Sequence, residues 1–128
     1  MMQAPKATAA TGAALWTKPH HRAGHNSPED LFVIDGVVWS GETAQGGPDT
    51  GIKGTFTGYD LATGEVRSEF KPDVPAYWFH QRCYRAKATD RFILASRTGI
   101  EYVDLGAQHW SRHDWVRGAC LYGIMPAN

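Results

Sequence analysis

Long apolar runs are missing from this chain, and with them any helix able to cross a bilayer. No stretch approaches the roughly 20 residues such a helix needs. Helical periodicity is nearly as scarce, with no coherent apolar stripe sustained over successive turns. Net charge is missing too: 13 basic side chains cancel 13 acidic ones, so no overall field draws in nucleic acid or an anionic membrane. The cysteines are only two, Cys83 and Cys120. They do not make a disulfide-rich framework, and they leave the redox compartment open. The opening stretch MMQAPKATAATGAALW holds one lysine and no apolar core, so it does not read as a secretory leader. A phosphate-cradling loop is absent as well, because GYDLATG lacks the strand-to-helix setting that gives such glycines meaning.

What the chain does contain is turn residues and strands. Its 128 residues fit one domain, and 14 Gly and 7 Pro with 12% aromatics point to many short strands and tight turns. DLFVIDGVVWSG (30–41) is two apolar runs split by Asp35-Gly36, a hairpin signal because both turn positions favour positive φ. Both runs are apolar on both faces, as for strands between other layers. KGTFTGYDLA (53–62) is a third strand, rich in Thr and aromatics. After a Thr63-Gly64 turn, EVRSEF sets Val66, Ser68 and Phe70 on one face and Glu65, Arg67 and Glu69 on the other. These make four consecutive antiparallel strands, buried first and exposed last. Residues 83–105 read as a second unit, with strands in RFILAS and IEYVDL and a turn near Thr98-Gly99. Residues 106–117 read as loop or a ragged outer strand, and ACLYGIMP as a further strand. PHHRAGHNSPE (19–29) and TAQGGPDTGIKG (43–54) are loops by composition.

Shifting the chain by 52 residues lays Thr11-Gly12 on Thr63-Gly64 and brings two Lys-Pro pairs almost together. A recurrence at about 40 to 50 residues is the period of a propeller blade. YDLATGEV resembles the turn of the quinoprotein-type (PQQ-like) β-propeller repeat, of pattern A-x-D-x-x-T-G-K-x-x-W. Asp60, Thr63 and Gly64 fill its D, T and G positions; Thr11, Gly12 and Trp16 fill T, G and W in the earlier copy. Thr8 stands where Asp is expected, and Ser68 where Trp is expected, with Phe70 two residues on. The resemblance spans roughly residues 20–128 and is to exported bacterial proteins of that family. It implies an all-β chain: about two four-stranded antiparallel blades plus flanking strands, a partial β-propeller. Residues 1–19 would end one blade, 20–72 and 73–117 would each form one, and 118–128 would start the next. A closed propeller typically has four to eight blades, so the chain is expected to be a piece of a larger one. A self-sufficient β-sandwich is the alternative.

Candidate sites are sparse. The six histidines fall in loops: His20, His21 and His25 together, with His80, His109 and His113 apart. They show no ligand spacing for zinc, and no metal is expected. If HQRCYR is an inner strand, its alternation puts His80, Arg82 and Tyr84 on one face and Gln81, Cys83 and Arg85 on the other. With Arg22 and Arg117 these side chains would ring one mouth of a channel, suiting an anionic small molecule or a glycan through bidentate bonds. The competing reading makes the arginines ion pairs with Glu29, Asp30, Glu101 or Asp114. Trp16, Trp39, Trp78, Trp110 and Trp115 are read mainly as packing between blades, with a sugar-stacking platform as the other use.

The adjacent cysteine pair of quinone-dependent alcohol dehydrogenases is missing, so the resemblance carries over the repeat and not the cofactor. No catalytic residue is assigned, and the enzyme question leans to no for this chain. The expected function is a non-catalytic ligand- or protein-binding propeller module in the periplasm or outside the cell. Its partners would be the remaining blades, or further copies of itself. A quinone-dependent oxidoreductase and a structural scaffold are the alternatives; nucleic acid and a membrane span are not expected.

Overall fold

The computed structural model describes residues 2–7, 10–20, 31–41, 55–71, 73, 84–95, 99–125 and 127, and those residues form strands and turns with no helix. Three antiparallel sheets follow one another along the chain. The first is a hairpin of β1 (Met2–Ala7) and β2 (Ala14–His20). The second is four-stranded, β3 (Leu31–Ile34), β4 (Val37–Gly41), β5 (Phe56–Asp60) and β6 (Val66–Phe70), in chain order. The third repeats that order with β7 (Lys87–Ala88), β8 (Phe92–Ala95), β9 (Ile100–Asp104) and β10 (His109–His113). The all-β expectation and its pair of four-stranded antiparallel units therefore hold.

Local chemistry explains the strand ends. Asp35 and Gly36 sit at φ 48 and 72, and Ile34 pairs with Val37 across them. That is the geometry of a two-residue turn with both central residues left-handed, whose twist matches the strands it joins. The later turn from β5 to β6 is closed by Asp60. Its Oδ1 accepts the N–H groups of Ala62 at 2.8 Å and Thr63 at 2.9 Å. Gly64 then takes φ 76, and its N–H donates to the Asp60 carbonyl at 2.9 Å. Carboxylate caps of this kind satisfy turn backbone that has no strand partner.

Both four-stranded sheets bury aromatic and aliphatic side chains between them. Phe56 stacks on Phe70 with centroids 5.9 Å apart, Trp39 meets Phe70 edge-on at 6.0 Å, and Trp110 from β10 meets Phe56 at 5.4 Å. Ile93, Ala95 and Val103 extend this core. Tilted ring pairs at these separations add to the area they bury. The alternation read in EVRSEF is only half observed: Phe70 is buried and Ser68 half-buried, but Val66 is exposed. Likewise β3 is not enclosed on both faces, since Leu31 and Val33 are exposed. The ACLYGIMP segment is not a strand. It folds into a tight turn in which Leu121 has φ 70 and Ala119 bridges Gly123.

Gly12 and Gly64 allow a clean comparison, because both are left-handed but only Gly64 is covered. A Cβ on Gly64 would lie 2.7 Å from Trp16 Cδ2, whereas one on Gly12 would meet nothing within 4 Å. Gly12→Ala should cost at most about 1–2 kcal/mol of left-handed strain. Gly64→Ala should cost that plus roughly 1–3 kcal/mol of overpacking. Denaturant unfolding of the two variants measures the gap; equal losses would mean that Trp16 does not rest on Gly64.

Candidate binding surface

The same turn is built three times, each time in the last hairpin of a sheet. In the first, Gly12 has φ 69 and Thr11 Oγ1 accepts the Ala13 N–H at 3.2 Å. In the second, Gly64 has φ 76 and Thr63 Oγ1 accepts the Glu65 N–H at 3.2 Å. In the third, Gln108 takes the left-handed place at φ 54, and Asp104 Oδ1 accepts the N–H groups of Gly106 and Ala107, both at 3.0 Å. Asp104 thus matches Asp60 at a spacing of 44 residues, shorter than the 52 between the first two turns. A further bond is shared by the two larger sheets. Leu61 N–H donates to the Gly36 carbonyl at 2.9 Å, and Leu105 N–H to the Arg91 carbonyl at 3.1 Å, tying each late turn back to its sheet's first hairpin.

Each of the two later turns receives the last strand of the preceding sheet. Trp16 on β2 lies over Gly64, and its Nε1–H donates to the Leu61 carbonyl at 3.2 Å. Ser68 on β6, four residues past Gly64 as Trp16 is past Gly12, accepts from Gln108 Nε2 at 3.2 Å. A large side chain meets the glycine turn, and a small one meets the glutamine turn. The second junction is reinforced by Asp73, whose Oδ1 accepts the Trp110 N–H at 2.9 Å and whose Oδ2 pairs with His109 Nδ1. The Gln108 copy was missed in the sequence because Ala and Gln replace Thr-Gly; Asp-Leu at 104–105, repeating 60–61, was the available signal.

Arg112 holds the place of Trp16 and Ser68 and is paired with Asp114 through Nη2 at 2.7 Å. Further along the chain, Trp115 is fully exposed, and Leu121, Tyr122 and Met125 are each more than four-fifths exposed. Apolar side chains standing singly on a surface are ordinary, but several gathered in one short segment mark an interaction surface.

The arginine mouth is only partly in view. Arg22, His80 and Arg82 lie outside the described residues, as do Cys83 and Trp78. Arg85 and Arg117 are both exposed, on segments that abut: Tyr84, 1% exposed, accepts the Gly118 N–H on its hydroxyl at 3.3 Å, and its ring packs under Gly123. Arg117 Nη2 points to Cys120 Sγ at 3.8 Å. Of the acidic partners read for the arginines, Asp114 pairs with Arg112, and buried Glu101 accepts the Gly99 N–H at 3.2 Å. Among the described residues no three His, Cys, Asp or Glu side chains gather as metal ligands. Elsewhere, an open groove of about 460 Å³ lies between the hairpin after β3 and the turn before β8, lined by Phe32, Ile34, Asp35, Thr89 and Asp90 among others. Its charged groups are carboxylates, opposite in sign to the mouth read from the sequence.

Compared with protein-family models, curated proteins and solved structures, the chain matches none.

The carboxylates that build these turns set an acid dependence. Asp104 titrates below the usual aspartate range, held there by the Ala107 N–H and then by the Arg91 guanidinium, which binds Oδ2 through Nε at 2.9 Å and Nη2 at 2.7 Å. Asp60 is lowered by the N–H groups of Thr63 and Ala62. For Asp73 burial pushes upward, but the bonds from His109 and Trp110 outweigh it. A carboxylate lowered on folding stabilises fully above its unfolded value and loses that stabilisation as pH falls through the folded one. Stability should therefore be flat on the acid side until about the ordinary value of 3.8 and fall below it. Urea midpoints between neutral and strongly acidic pH measure this, and Asp104→Asn should shallow the fall.

Proposed function

We propose that this chain is a non-catalytic, protein-binding repeat module of the PQQ-like β-propeller type, acting in the periplasm or outside the cell. The observations that support the reading are the turn-on-strand junction formed twice in succession and the exposure of Trp115, Leu121, Tyr122 and Met125 within one short segment. A protein surface is favoured over a small anion as the ligand because the open region is apolar and aromatic, the composition of interface cores. Exposed Arg85 and Arg117 would flank it as a polar rim, fit for carboxylates on the same partner.

Binding and redox chemistry are separated by two titrations at protein concentrations low enough to keep the chain monomeric. The folded chain should bind an apolar fluorescent dye, and Trp115→Ser combined with Tyr122→Ser and Met125→Ser should remove most of that signal without changing the far-ultraviolet dichroism. Pyrroloquinoline quinone with calcium should produce neither a new visible band nor a higher melting temperature. A dye-silent chain that gains a quinone band, lost in Arg85→Ala or Arg117→Ala, would reverse the assignment.

A further inference from the structure

We infer that the groove between the first hairpins of the two four-stranded sheets takes an arginine side chain from an extended segment of a protein partner. This rests on the protein-binding reading above and adds a second contact to it, of stated chemistry.

The groove is a product of the repeat. Leu61 N–H donates to the Gly36 carbonyl as Leu105 N–H donates to the Arg91 carbonyl, so Gly36 and Arg91 hold matching places. The residues before them, Asp35 and Asp90, therefore match as well. Both aspartates line the same groove of about 460 Å³, one from each sheet. Both are exposed, and neither carboxylate is hydrogen-bonded or ion-paired to a described residue. The cations nearest in sequence do not neutralise them. Arg91 binds Asp104 through Nε at 2.9 Å and Nη2 at 2.7 Å and lies over the Phe92 ring. Lys87 precedes Ala88 on β7 and so faces the opposite side of that strand.

Between the carboxylates the lining is apolar. Phe32, Ile34 and Ala88 are half-buried there and pack against the core shared by the two sheets. The strands that supply them, β3 and β7, are the edge strands of their sheets. A negative rim over an aromatic and aliphatic floor is complementary to a guanidinium on its methylene stem. The planar head has five donors, can bond two carboxylates at once and rests flat on a ring, while the stem covers apolar surface. A metal ion fits less well, because no three His, Cys, Asp or Glu side chains gather among the described residues. The open shape favours a segment over a free small molecule, since small-ligand pockets enclose most of the ligand. An extended segment can also add main-chain hydrogen bonds along an edge strand.

The test titrates the isotope-labelled whole chain with the peptide acetyl-Thr-Val-Arg-Val-Thr-amide and follows amide resonances by NMR. Shifts are expected at residues 32–35 and 88–90 together. The same peptide with citrulline for arginine keeps the shape without the charge, and it should bind at least about tenfold more weakly. Asp35→Asn should weaken binding of the arginine peptide by about threefold to tenfold, and so should Asp90→Asn. Asparagine tolerates the φ of 48 at position 35, so the hairpin is kept while its charge is removed. The inference is overturned if the citrulline peptide binds as tightly as the arginine one, if both variants bind unchanged, or if the shifts stay on one hairpin. Acetyl-arginine-amide binding as tightly as the peptide would overturn it in favour of a small-molecule site, and the same shifts with calcium chloride in favour of a metal site. A chain that binds the apolar dye but not the arginine peptide loses only this inference; a chain that binds neither loses the protein-binding reading with it.

Discussion

A single backbone residue held at positive φ organises this molecule. In the last hairpin of each sheet, a left-handed residue turns the chain so that the backbone lies open to whatever stands beside it. Gly64 makes the point physically. It has no Cβ, so the indole of Trp16 can approach to a distance that any other side chain would block. The consequence is that the turn serves as both the end of one sheet and the seat for another. Asp60 and Asp104 brace their turns by accepting two N–H groups each.

The junctions divide their work between polar fit and apolar burial. Trp16–Leu61, Ser68–Gln108 and Asp73–Trp110 place the sheets relative to one another through directional bonds. Phe56, Phe70, Trp39 and Trp110 pack together as the aromatic part of the core at the second junction. Outside both, Trp115, Leu121, Tyr122 and Met125 stand in solvent.

The features legible in the primary structure were those set within a few residues. Asp35-Gly36 announced its hairpin because few residues tolerate positive φ twice in a row. Asp60 through Gly64 announced a turn by side-chain chemistry that needs no distant partner. The third turn was hidden because Ala107 and Gln108 form the same backbone without the expected letters; Asp104 and Arg91 hold it from outside the turn. The failure at ACLYGIMP has a similar cause. Apolar composition favours a strand only if an edge is present to pair with, and these residues fold back on themselves under Tyr84 instead.

The order of residues alone determined the class of secondary structure, the places where the chain reverses, and the recurrence of Thr-Gly 52 residues apart. Each depends on local backbone sterics and hydrogen bonds within a turn. Only the tertiary structure decided which residue meets which turn: Trp16 on Gly64, and Ser68 on Gln108. Those pairings join residues about 40 to 50 positions apart, and they are selected by the twist and stacking of whole sheets, which no short stretch encodes.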